Sequence, residues 1–114
     1  MDRIVFITGA TSGIGKACTE KFAAAGDHLI INGRRKDRLD ELKRSLESNY
    51  EIEVLCAPFD VRMKEEVFGS IQSFSGKWKN IDILINNAGL ALGRDFFDEA
   101  ELNDWETMLR TNLN

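Results

Sequence analysis

Basic residues do not outnumber acidic ones in this chain: 15 Lys+Arg stand against 19 Asp+Glu, for a formal net charge of -4. A nucleic-acid footprint normally needs a basic excess on at least one face, so no nucleic-acid partner is expected. Cysteine and histidine are scarce, two and one in 114 residues. With no CxxC and only the distant His28 to help, they make neither a zinc site nor a disulfide framework, and no metal is expected. Long apolar runs are missing too. Nothing approaches the roughly 20 residues that a membrane span requires. Met1-Asp2-Arg3 leads straight into Ile4-Val5-Phe6-Ile7 without a signal-peptide layout. A reducing, cytoplasmic setting away from membranes is the expectation. What remains, 43% hydrophobic and 30% charged, is a globular composition. The length allows one domain with a modest core.

Strand and helix patterns alternate along the chain. Ile4 to Thr8 is an unbroken apolar run, which suits a parallel strand covered on both faces. A helix begins near Gly13, with Ile14, Ala17, Cys18, Phe22 and Ala25 predicted on its apolar side and Gly26 as its stop. His28 to Asn32 reads as a second strand. Leu39, Leu42 and Leu46 mark a second amphipathic helix whose other side is charged and solvated. Ile52 to Ala57 reads as a third strand, and Val67, Phe68, Ile71 and Phe74 mark a third helix. Ile81 to Ile85 is the predicted fourth strand, and Leu102, Trp105 and Leu109 start a fourth helical stripe. Such alternation predicts an α/β fold: a Rossmann-type, doubly wound parallel sheet with right-handed crossovers. The expected order is 3-2-1-4, with about four strands and four helices.

The chemistry concentrates at the carboxyl ends of those strands, where open α/β sheets place ligands. Thr8-Gly9-Ala10-Thr11-Ser12-Gly13-Ile14-Gly15 links the first strand to the first helix. Glycines let a ligand approach the backbone, and the helix start offers free N–H groups and a positive dipole end to a pyrophosphate. Thr11 and Ser12 add hydroxyls. A P-loop is the nearest rival, but Ala10 stands where its first glycine belongs and Ala17 where its hydroxyl belongs, which argues against nucleoside triphosphate hydrolysis. After the second strand comes Gly33-Arg34-Arg35. An NAD binder usually carries a carboxylate near this point; two guanidiniums suit the 2′-phosphate of NADP instead. Asp60-Val61 follows the third strand and Asn86-Asn87-Ala88-Gly89 the fourth. Asp60 reads equally as a helix N-cap, and the asparagines as turn residues. Their shared edge favours a functional role. Cys18, Cys56, Trp78 and Trp105 read as core or interface residues, and His28 has no partner at metal or triad spacing.

With these motifs together, the sequence resembles the N-terminal part of a short-chain dehydrogenase/reductase. The matching elements are TGATSGIG (Thr8–Gly15), GRR (Gly33–Arg35), Asp60-Val61, NNAG (Asn86–Gly89) and Asn112 in RTNLN. Within the family, NNAGLALG and DWETM (Asp104–Met108) resemble the NADP-dependent 3-hydroxy acid, or serine, dehydrogenase branch. The resemblance implies a hydride-transferring oxidoreductase with a small hydroxy acid or alcohol as substrate. It implies coenzyme contacts from Gly9, Ala10, Thr11, Ser12, Gly13, Ile14 and Gly15 at the pyrophosphate and ribose. Arg34 and Arg35 would take the 2′-phosphate, Asp60 the adenine amino group and Val61 the ring. Asn87, with Ala88 and Gly89, would lie on the nicotinamide side. Asn112 would match the family's catalytic asparagine.

One departure is large. The family's chemistry uses a Ser and a Tyr-x-x-x-Lys pair, with Tyr as general acid/base. The one tyrosine here, Tyr50, is followed four residues later by Val54 and precedes the third strand. No helix stop follows Met108 to Asn112. The expectation is therefore the cofactor-binding half of an enzyme, residues 1–114, truncated and inactive alone. Its fourth strand would form an exposed edge that favours homo-oligomers or aggregates. A non-catalytic NADP-binding module, or a fragment that binds nothing, are the alternatives.

Overall fold

Strands β1 (Ile4–Thr8) and β2 (His28–Gly33) are buried at every position. That burial is why both read as continuous apolar runs rather than as alternating ones. The structure, a computed structural model, describes residues 3–87. β3 (Val54–Pro58) and β4 (Ile83–Asn86) flank the central pair. All three pairings are parallel, and the order is β3-β2-β1-β4, as expected. The register sets Phe6 beside Ile30 on one side and Leu84 on the other.

Side chains alternate across the sheet and so build two cores. Ile4, Phe6 and Ile30 pack with Val67, Ile71 and Phe74 on one face. Val5, Ile7, Leu29 and Ile31 pack with Ala23, Leu39, Leu42 and Leu46 on the other. The helices divide accordingly. α1 (Gly13–Ala24) and α2 (Lys36–Asn49) contribute to the second core, α3 (Lys64–Ser73) to the first. This makes the sheet doubly wound. Phe6 is fully buried and meets Phe59 and Phe74 edge-on, at ring centroid distances of 6.4 and 5.7 Å. A 3-10 turn at Gly76–Lys79 leads into β4. The fourth helical stripe lies outside the described residues.

The predicted apolar side of α1 is corrected. Its buried positions are Gly15, Thr19 and Ala23, with Cys18 and Phe22 half-buried, whereas Ile14 is 70% exposed and Ala17 and Ala25 lie in solvent. Small residues four apart bring the helix close to the sheet, and Thr19 satisfies its hydroxyl on Gly15 O at 2.7 Å. A stripe chosen by hydrophobicity misses a face chosen by size. The stop at Gly26 stands: its φ is 89° and its N–H bonds Ala23 O.

Two strands start later than their apolar runs. The Glu53 N–H goes to His28 Nδ1 (2.8 Å) and the Val54 N–H to Glu47 Oε2 (3.0 Å), so the segment before β3 is held by side chains. The His28 imidazole thus staples β2 to the segment before β3. Ahead of β4, Asp82 Oδ2 accepts the Ile4 N–H at 2.9 Å. At the same amino-terminal rim Arg3 grips the buried Asp27 with two hydrogen bonds, of 2.9 and 2.8 Å. That fork raises the Arg3 pKa above its ordinary value.

The corrected face of α1 makes a test. Ala23→Leu forces three extra carbons against the sheet and is expected to destabilise the fold by about 1–3 kcal/mol in urea unfolding. Ile14→Ser, on the exposed side, is expected to stay within about 0.5 kcal/mol of wild type.

Candidate functional site

The turn between β1 and α1 is organised around one carbonyl. Gly9 O accepts the Ser12 N–H (3.3 Å), the Ser12 hydroxyl (2.9 Å) and the Asn87 amide NH2 (3.1 Å). Gly9 needs a left-handed φ of 61° to turn that carbonyl inward, a region that side chains disfavour. Gly15 has a different reason. A Cβ there would stand 1.9 Å from Gly9 O and 2.8 Å from Asn87 Nδ2, inside van der Waals contact. Gly13 has neither: nothing lies within 4 Å of a Cβ built on it. The protein itself does not demand a glycine at Gly13, the first residue of α1. No side chain caps this helix start and no acidic residue sits in its first turn. Among the described residues no side chain answers its leading N–H groups and positive dipole end.

Asn32, at the end of β2, ties three strand exits together. Its carbonyl accepts the Ala10 N–H (2.8 Å) and its Oδ1 the Gly9 N–H (3.3 Å). Its Nδ2 donates to Ala57 O and Phe59 O, both at 3.0 Å. The residue is 1% exposed, so these bonds compensate a buried amide that would otherwise be costly. Thr8 and Asn86 join β1 to β4 in a similar way, with Thr8 Oγ1 donating to Asn86 Oδ1 at 3.0 Å.

A cleft of about 190 Å³ opens at this edge. Of the predicted residues it brings together Gly9, Thr11, Ser12, Arg34, Asp60 and Val61. Others are placed elsewhere. Ala10 is fully buried in the core, Gly15 lies beneath the Gly9 carbonyl, and Gly13 and Ile14 stand exposed at the head of α1. Arg35 occupies the exposed N-cap position of α2 without capping it. Asn87 is buried, its amide nitrogen committed to Gly9 O and to Ser12 Oγ (3.0 Å), so here it braces the turn. Ala88, Gly89 and Asn112 lie outside the described residues.

Asp60 does not cap α3, whose N-cap is Met63. The carboxylate instead accepts the Arg62 backbone N–H (2.9 Å), Arg62 Nε (3.0 Å) and Nη2 (2.7 Å). Chiefly through that side-chain fork, Arg62 holds the Asp60 pKa down to about 2, with Arg34 adding a smaller pull. Arg62 lines the cleft too and was missed by sequence reasoning, as were Asn32 and Phe59. The available signals were a polar residue closing an apolar strand (Asn32) and an Asp-x-Arg spacing after β3. By contrast, among the described residues neither Arg34 nor Arg35 enters an ion pair. Cys18 and Cys56 are free and half-buried, and burial pushes the Cys56 thiol up, away from a reactive thiolate. Among the described residues no group of His, Cys, Asp and Glu is arranged to hold a metal, and no helix is long and apolar enough to cross a membrane.

Among the described residues, a helix start without a side-chain cap, a glycine with open space at its Cβ position and two guanidiniums outside any ion pair share one sheet edge. The family model for short chain dehydrogenase matches residues 3–114. The chain belongs to the short-chain dehydrogenase family. It is 46% identical over 109 residues to the NADP-dependent 3-hydroxy acid dehydrogenase YdfG of Escherichia coli O6:H1, covering 96% of this chain and 42% of that one. It is similar to the crystal structure of serine dehydrogenase from Escherichia coli, with a TM-score of 0.69 and 43% identity over 93% of this chain and 47% of the other. L-sorbose reductase from Gluconobacter frateurii, complexed with NADPH and L-sorbose, gives a TM-score of 0.72 at 40% identity, covering 77% of this chain and 34% of that one. The chain thus spans about two-fifths of the length of such a dehydrogenase.

For this short-chain dehydrogenase chain the Asp60 clamp sets a pH expectation. A carboxylate with a depressed pKa stays ionised, and keeps its ion pair, as pH falls through the ordinary aspartate value near ~3.9. A carbon-13 titration of Asp60 should show a midpoint near 2 in wild type. In Arg62→Ala it should rise toward ~3.9. An unchanged midpoint would contradict the clamp. Gly15→Ala should destabilise the fold by about 3 kcal/mol or more, since Gly9 O and the Asn87 amide must both move; a melting curve measures it.

Proposed function

We propose that this chain forms the coenzyme-binding part of an NADP(H)-dependent oxidoreductase. The whole protein would move a hydride between C4 of the nicotinamide and the hydroxyl carbon of a small 3-hydroxy acid or related alcohol. The carrying observation is Gly13: the glycine at the head of the uncapped α1 has open space where a Cβ would stand. Space kept clear at a helix N-terminus fits a pyrophosphate lying against backbone N–H groups. Arg34, in the cleft wall, and Arg35, beside it, supply donors for a 2′-phosphate. Asp60 and Val61 would receive the adenine edge and ring. The name of the Escherichia coli relative, an NADP-dependent 3-hydroxy acid dehydrogenase, supports both the coenzyme and the substrate class.

In this division of work the described residues bind and orient. They exclude solvent from one side of the coenzyme and move no proton. The nicotinamide accepts or gives the hydride, and the proton on the substrate oxygen is left to a group outside the described residues. A second reading has one observation in its favour. Tyr50 lies with His28 and Glu53 along a groove at the amino-terminal rim, away from the cleft. The chain's own tyrosine is therefore not positioned for the family's proton transfer, as a non-catalytic NADP-binding module would require.

Fluorescence titration tests the coenzyme assignment. Replacing Arg34 and Arg35 with Ala should weaken NADPH binding by about tenfold to a hundredfold, the value of a charge-assisted pair, and NADH binding far less. Equal losses would refute the 2′-phosphate seat. Gly13→Leu should weaken both coenzymes while leaving the thermal melt within a few degrees of wild type.

A further inference from the structure

Four charged groups crowd the cleft region, and one of them has the wrong sign. Arg34 and Arg62 line the cleft with Asp60, and Arg35 stands next along the chain. A carboxylate there opposes any ligand that brings a dianionic phosphate to the same small space. The structure answers that opposition locally. Arg62 presents Nε and Nη2 to the two oxygens of Asp60, at 3.0 and 2.7 Å, and its backbone N–H adds a third bond at 2.9 Å. Three donors from one residue cancel the carboxylate's charge and fix its plane. This fork spends two of the five guanidinium N–H donors of Arg62 on the carboxylate. Among the described residues Arg34 is the cleft cation that enters no ion pair.

We propose that Arg62 is a coenzyme-specificity residue that acts through Asp60: by neutralising this carboxylate it allows the cleft to seat a 2′-phosphate. The proposal rests on the NADP reading above. Asp60 keeps an acceptor position for a base amino group, because a carboxylate offers about four lone-pair sites and the fork does not fill them all. Arg62 is a positioning residue, touching the carboxylate and not the coenzyme. Its removal should leave an uncompensated negative charge beside the Arg34 seat, and the penalty should fall on the coenzyme that carries the extra phosphate.

The readout is a ratio, the affinity for NADP+ divided by that for NAD+, measured by calorimetry on the 114-residue chain at low salt. Arg62→Ala should lower this ratio by about tenfold, with NAD+ affinity changing less. Added salt should shrink the loss, because the repulsion is electrostatic. The double variant Arg62→Ala with Asp60→Asn carries neither charge and should regain the wild-type ratio even if both affinities are weaker. Arg62→Lys retains the charge and should hold the ratio. Circular dichroism melts report whether each variant is folded, and the ratio is compared among folded ones. A ratio that Arg62→Ala leaves intact, or that the double variant does not restore, overturns this inference alone. A wild-type chain that binds NADP+ no better than NAD+ overturns the coenzyme reading and the inference with it.

Discussion

The Gly9 carbonyl is the point on which the ligand-facing edge depends. Three donors converge on it from two segments, Ser12 in the turn and Asn87 at the exit of β4. Gly15 packs against it from α1 with no room for a single carbon. The carbonyl therefore sets how near the helix start can lie to the ends of β1 and β4. A helix dipole acts over its first turn only, so that distance decides whether an anion in the cleft gains from it. The small face of α1 serves the same end: Gly15, Thr19 and Ala23 let the helix lie low on the sheet, where Leu or Phe would lift it.

Asn32 does for the neighbouring strands what Gly9 O does for the turn. A strand exit must part from its neighbours to make a crevice, and parting leaves backbone groups unpaired. One buried amide takes up Gly9 N–H, Ala57 O and Phe59 O across that gap. The crevice is thus held open by satisfied hydrogen bonds. Charge is arranged with similar economy. Arg3 is paired with Asp27 and Arg62 with Asp60, while among the described residues Arg34 and Arg35 enter no ion pair.

Much of this was legible in the sequence. The doubly buried strands announce themselves because β1 and β2 have no polar face to interrupt the run, and Leu39, Leu42 and Leu46 mark α2 because large side chains fill its contact. The glycine turn and Gly33-Arg34-Arg35 were placed at the correct edge because strand–turn–helix order fixes it. What escaped has a common physical cause. Hydrophobic periodicity reports area, so it assigned Ile14 to the core and passed over Gly15 and Thr19, where closeness counts. Single polar residues report nothing about their partners. Asn32, Asn87 and Arg62 became meaningful only when three-dimensional neighbours were known. His28 is the same case at the other rim, where the bond from the Glu53 N–H gives a lone imidazole a structural purpose.

The two rims of the sheet then differ in kind. At the amino-terminal rim, His28, Asp27, Glu47 and Asp82 each take up a hydrogen bond from a neighbouring segment, so polar groups there are spent on closing the fold. At the carboxyl-terminal rim the described residues give α1 no side-chain cap, put nothing within 4 Å of a Cβ built on Gly13 and offer Arg34 no ion pair. Under the proposed function a phosphate-bearing coenzyme would supply what that edge lacks, with its diphosphate at the helix start and its third phosphate at Arg34. The asymmetry of satisfaction between the rims, more than any one motif, is what favours the proposed coenzyme.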